Sequence, residues 1–272
     1  MNDNQKKMTA RMPDMQTARD NRNIPIDKVG VKDISYPIVV MDKKKKFQHT
    51  IARINMYVDL PHQFKGTHMS RFIEILNRFH GQFNLKMFRS ILEEMKTRLE
   101  AEAAHLEMAF PYFCTISSGH GTPGLERYDC RLHGSLATDF DLMVEVEVPI
   151  QLPAQGGFEK EDFSPGVWGS IIAAVRMKHF LWIEDLIELV EQGATAQSVR
   201  SETVESICRR VSAVLHATGS FQWYKVVVKN RTTGYSTFAS SEWPEPVLSR
   251  FDALEETWFR GDSPQAGIPF PA

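Results

Sequence analysis

Residues 143–152, MVEVEVPIQL, place an apolar side chain at nearly every second position. That period fits a half-buried strand with one face on a core and the other on charge. Reading outward, residues 168–177 form a second strand candidate. Helical spacing follows, with Ile183, Leu186, Ile187 and Val190 on one stripe and Val204, Ile207, Val211 and Val214 on another. Phe221 to Val228 and Tyr235 to Ala239 then supply two closing strands. The order is strand, strand, helix, helix, strand, strand.

The same order precedes it. Ile34 to Val40 and Thr50 to Leu60 read as a hairpin, with the run Lys43 to Lys46 at its tip. The run is either a solvated turn or a phosphate or nucleic-acid contact. Ser70 to Phe79 and Leu85 to Glu102 read as helices, the second with Phe88, Leu92, Met95 and Leu99 on one face. Leu106 to Ile116 and Tyr128 to Leu136 are strands separated by SSGHGTPG. The expected fold class is α+β, with tandem ββααββ halves at 24–138 and 139–242, antiparallel sheets and helices on one face. Residues 1–23 carry too few large apolar side chains to offset ordering entropy and read as a flexible arm, and 243–272 as a proline-containing tail. Joining the sheets edge to edge, within the chain or between subunits, removes exposed edges, so an oligomeric barrel is expected.

Composition narrows the function. The chain has 272 residues, 42% hydrophobic and 24% charged, which excludes a disordered protein. A formal charge of -2 gives no broad basic footprint, so neither nucleic acid nor an anionic membrane is an expected partner. Its 3 cysteines have no C-x-x-C pairing, which argues against a disulfide framework or a zinc ribbon and for a reducing cytoplasm. Neither a secretory leader nor a membrane-length apolar run is read.

The densest chemistry lies in LPHQFKGTHMSRF, residues 60–72. Lys65, Thr67, His68, Ser70 and Arg71 gather where a strand gives way to a helix start, whose free N–H groups and dipole favour an anion. Lysine brings a point charge, arginine a bidentate fork and the hydroxyls further donors, which suits phosphate. The alternative is that Thr67 or Ser70 caps the helix and Arg71 is a surface charge. His62 and His68 flank the motif. His68 is the better acid–base candidate, because imidazole titrates near working pH.

QTARDNRNIPIDKVGVKDISYPI at 16–38 and NMYVDLPHQFKGTHMSRFIEIL at 55–76 resemble the GTP cyclohydrolase type IB family, a branch of the tunnelling-fold superfamily. The resemblance implies an enzyme converting GTP to dihydroneopterin triphosphate with release of formate, at the head of pterin and folate synthesis. It implies a homotetramer with active sites at subunit boundaries, and zinc or another divalent metal as cofactor. By analogy, Lys65, Thr67, Ser70 and Arg71 grip the triphosphate and His68 serves catalysis. Glu205, in TVESICRRV, resembles the family's glutamate that anchors the guanine or pterin ring. A carboxylate can accept two parallel N–H bonds there, or Glu205 can simply pair with Arg209 along the helix.

The chain also departs from that family. Where the family carries a Leu-Cys-Pro-Cys-type turn and then a histidine for the metal, residues 151–178 contain neither cysteine nor histidine. TTGYSTFAS at 232–240 replaces an Asn-His-x-Ala pattern, and GATAQSVRSE at 193–202 shortens a longer stretch. Imidazole-ring hydrolysis wants water activated from a pKa of about 15.7 to about 7, as zinc does. Candidates for a rebuilt ligand set are Cys114, His120, Cys130 and His133, although Cys130 and His133 should point to opposite faces of one strand. Glu159, Glu161 and Asp162 could bind a hard cation or form a solvated loop. The resulting expectation is a GTP- or pterin-directed enzyme with an altered site and no assignable metal ligands. A binding paralogue without catalysis, and a metal-independent tunnelling-fold aldolase or isomerase, stand beside it.

Overall fold

The computed structural model describes residues 28–59, 69–79, 82–114, 125–152, 167–195, 203–231 and 235–244. Two long strands, β1 (Val29–Asp42) and β2 (Lys46–Asp59), form the first hairpin. Helix α1 (Ser70–Arg78), the short β3 (Gln82–Phe83) and helix α2 (Leu85–Arg98) follow, then β4 (Ala103–Cys114) and β5 (Glu126–Leu136). The second series is β6 (Phe140–Leu152), β7 (Val167–Met177), α3 (Ile183–Ala194), α4 (Val204–Thr218), β8 (Phe221–Arg231) and β9 (Ser236–Trp243). Every expected strand and helix among these residues is present.

The two series share one sheet, ordered β3-β1-β2-β4-β5-β6-β7-β8-β9. All neighbours pair antiparallel except β3, which lies parallel to β1 through Val39 opposite Gln82. The halves join through β5 and β6, with Cys130 opposite Val146, so the edge-to-edge union occurs inside one chain. β3 has no counterpart in the sequence reading, since two residues carry no periodicity.

Alternation decides which side of the sheet is covered. Ala52, Ile54, Met56 and Val58 of β2 are buried with Leu106, Met108 and Phe110 of β4 and Val144, Val146 and Val148 of β6. The helices cover that face. Phe88, Ile91, Leu92, Met95 and Leu99 of α2, and Leu186, Ile187 and Val190 of α3, close over it. Each such side chain contributes about 1.5–3 kcal/mol on burial. On α4, Leu215 rather than Val214 completes the buried stripe, because the seam drifts at 3.6 residues per turn.

Element ends follow local chemistry. α2 stops at Arg98 rather than Glu102, and Glu100 takes a positive φ of 50° beyond it. α4 opens on a reciprocal cap between Thr203 and Ser206 and closes at Gly219, whose φ of 65° suits glycine. α3 and α4 pack closely at Gly193, where a Cβ would lie 2.6 Å from Val211 Cα. β9 runs four residues past Ala239, to Trp243, which stacks on Tyr224 with ring centroids 5.8 Å apart. The expected proline-containing tail, 243–272, lies outside the described residues beyond position 244.

The lysine run meets neither expectation fully. Lys44 and Lys45 turn the hairpin by donating backbone N–H groups to Asp42 Oδ1 at 2.8 and 2.6 Å. Lys43 instead reaches the second half, its backbone N–H donating to Glu184 Oε1 at 2.7 Å and its ammonium pairing with Asp185. The hairpin tip thus staples α3 to the first half.

Candidate functional site

Of the anion motif, Lys65, Thr67 and His68 lie outside the described residues, as do His62, His120, Glu159, Glu161 and Asp162. Ser70 and Arg71 are described. They occupy the first turn of α1, both exposed, preceded by Met69, which makes no side-chain cap bond. Ser70 is therefore not the helix cap. Phe72, Ile75 and Leu76 bury the opposite side of α1, and the Tyr36 phenol of β1 donates to Leu76 carbonyl at 3.5 Å. That apolar seam fixes the helix and leaves Ser70 and Arg71 facing outward.

Glu205 sits in the first turn of α4, exposed like Arg71. A hydrogen bond from the Thr203 side chain, its own backbone N–H and the nearby Arg209 charge hold its carboxyl below the ordinary glutamate range. It is therefore an ionised acceptor at neutral pH. Cys208 Sγ on the buried side approaches Val226 carbonyl at 3.8 Å, which seats α4 over β8.

Ser70 and Glu205 do not come together within one chain. α1 lies over β1 and α4 over β8, six strand positions apart, so roughly 29 Å of sheet at about 4.8 Å per strand separates them.

The chain's 3 cysteines, Cys114, Cys130 and Cys208, are all unpaired and buried. Burial, then the charges of Glu184, Glu191 and Asp42, pushes the Cys114 thiol up to about 12. Burial likewise raises Cys130 well above the usual thiol range and raises Cys208. Cys130 faces the helices while His133, three positions along the strand, lies beside Glu107 on the other side. Among the described residues no three His, Cys, Asp or Glu side chains are grouped to hold a metal ion. Among the described residues, Cys114, Cys130 and His133 are thus not brought together as a ligand set.

Sequence reasoning missed the polar network on the helix-free face. Tyr57 of β2 stacks on His105 of β4 with centroids 4.8 Å apart, and its phenol donates to Glu107 Oε1 at 2.9 Å. Asn55 donates to Glu107 Oε2 at 2.8 Å, while Asp59 Oδ2 meets His105 Nε2 at 3.2 Å. Burial alone would raise Glu107, but these two donors, His133 and Lys32 outweigh it and hold the carboxyl low. Farther along the same face, Arg131 Nη1 lies 2.5 Å from Glu145 Oε1. The signal was the polar half of each alternating strand, which a search for core positions passes over.

Comparison with known proteins follows the same outline. The profile of the type I GTP cyclohydrolase folE2 family matches residues 12–152. The GTP cyclohydrolase FolE2 of Syntrophotalea carbinolica is 43% identical over 257 residues, 86% of this chain and 96% of that protein. Its counterpart from Geobacter sulfurreducens is 46% identical over 239 residues, covering 80% and 92%. Among solved structures, a uricase from Bacillus fastidious superposes with a TM-score of 0.57 at 5% identity, over 90% of this chain and all of that one. The uricase from Arthrobacter globiformis gives 0.55 at 7% identity, over 85% and 97%. At such low identity the uricases share the fold alone. The chain carries the KGTHMSRF motif within the matched region and is similar to these FolE2 proteins over most of its length; it belongs to the type I GTP cyclohydrolase FolE2 family.

Proposed function

We propose that this protein acts on GTP, or a closely related purine or pterin nucleotide, as a GTP cyclohydrolase of the type IB kind. The observation that carries the proposal is the first turn of α1, where exposed Ser70 and Arg71 continue the KGTHMSRF motif with no side-chain cap on Met69. Lys65, Thr67, Ser70 and Arg71 would hold the triphosphate, His68 would transfer protons, and ionised Glu205 would accept the donor edge of the base. Because Ser70 and Glu205 stand on opposite flanks of one sheet, each site would take its phosphate grip from one copy and its ring anchor from another. A homotetramer that closes sheet edges into a barrel accommodates this arrangement. It would work in the cytoplasm, in keeping with three unpaired thiols.

The three buried cysteines and the lack of Cys and His at 151–178 favour a second reading, a GTP-binding relative that does not turn its ligand over. One assay separates the two. Purified protein incubated with GTP should release formate; release that persists in a strong chelator would favour a metal-independent tunnelling-fold enzyme instead. Tight GTP binding with no formate supports the second reading, and absence of GTP binding overturns both.

A further inference from the structure

We propose that Glu126, Tyr128 and Glu191 share one proton, carried on Glu191, and form a pH-sensitive latch by which α3 grips the strands of the first half. The Tyr128 phenol oxygen lies 2.7 Å from Glu126 Oε2 and 2.5 Å from Glu191 Oε1. A phenol has one hydrogen and an ionised carboxylate has none. Two hydrogen bonds at one phenol oxygen to two carboxyl groups therefore need a second proton, and one carboxyl must supply it. Glu191 as the acid donates to the phenol oxygen, and the phenol donates to Glu126.

The surroundings select Glu191. Tyr128 is fully buried, and around the junction stand Tyr112 and Cys114 of β4, Asp42 and Lys44 of the hairpin, and Glu184 and Glu188 of α3. Lys43 is already engaged by Asp185 and Lys44 acts on Cys114, so among the described residues the cluster is predominantly acidic. Burial raises the Glu191 carboxyl first, the charges of Glu126 and Glu188 raise it further, and the Tyr128 contact only partly opposes them. Low local dielectric makes ionising a second carboxyl here costly.

The sign of the pH effect follows. In the unfolded chain Glu191 titrates in the ordinary range, whereas in the folded chain it holds its proton to higher pH. The latch is closed below the ordinary value and is lost as pH rises through the raised folded value. Above it, two carboxylates compete for one phenol hydrogen and α3 loosens from β5. The adjoining ends of β4 and β5, at Cys114 and Glu126, would feel that change first.

Infrared spectroscopy of the full chain reads the proton directly. A protonated-carboxyl C=O band should persist to pH values above the ordinary glutamate range and vanish on raising the pH further, with the melting temperature falling over the same interval. Glu191→Gln, which retains a donor for the phenol oxygen, should lose the band and show a flat melting temperature there. A wild-type protein whose carboxyl bands are all lost within the ordinary glutamate range overturns the latch, even if the variant fails to fold. So does a band that persists in Glu191→Gln, or a variant whose melting temperature tracks that of wild type.

Discussion

Ser70 at the start of α1 and Glu205 at the start of α4 lie over opposite flanks of a single continuous sheet, six strand positions apart. Each is exposed at a helix start, and each helix is pinned from beneath by its own apolar stripe. The nucleotide site proposed above would therefore draw its two groups from two copies of the chain. This follows from strand order rather than from either residue alone.

Glu205 should determine which base is accepted. Its ionised carboxylate suits the paired donors of guanine, and a base lacking the exocyclic amine leaves one acceptor oxygen unused. Wild type should bind GTP roughly ten- to a hundredfold more tightly than inosine triphosphate. Glu205→Gln should reduce that preference, as measured by calorimetry. Equal preference in both proteins would remove Glu205 from the site.

Arg131 and Glu145 form an ion pair on the helix-free face, where the Glu145 side chain is 3% exposed. Removing Arg131 strands the buried Glu145 charge, so Arg131→Ala should destabilise by about 3–5 kcal/mol in urea unfolding. Replacing both residues by apolar ones of similar volume should recover most of that loss. A double variant no better than the single one would show that the pair does not act as a unit.

Gly193 sets the separation of α3 and α4. An alanine Cβ there would meet Val211 Cα at 2.6 Å, and backbone cannot step aside as a side chain can. Gly193→Ala should lower stability by about 1–3 kcal/mol, seen as a lower urea midpoint with an unchanged slope. No loss would mean that the helices can part freely.

Much of this fold was legible because each strand alternates. Val144, Val146 and Val148 face the helices while Glu145 and Glu147 do not, and one glance at MVEVEV predicts both. Helix stripes such as Phe88, Leu92 and Met95 were equally plain. Register and partner choice were not, because neither the β5–β6 junction nor the two-residue β3 leaves a periodic trace. The Lys43 contact with α3 spans 142 residues of sequence and no local pattern encodes it. At the proposed site, residue types led to the expectation of an anion grip that includes Ser70 and Arg71, but only strand order places α1 and α4 over opposite flanks of the sheet.

The two-copy site is tested most directly by mixing defects. Arg71→Ala and Glu205→Gln should each fold, assemble and bind GTP weakly alone. Co-expressed in equal amounts, they should regain wild-type affinity at roughly a quarter of the sites, where one copy lends an intact Arg71 and another an intact Glu205. Mixed assemblies that bind GTP no better than either variant alone would contradict the account.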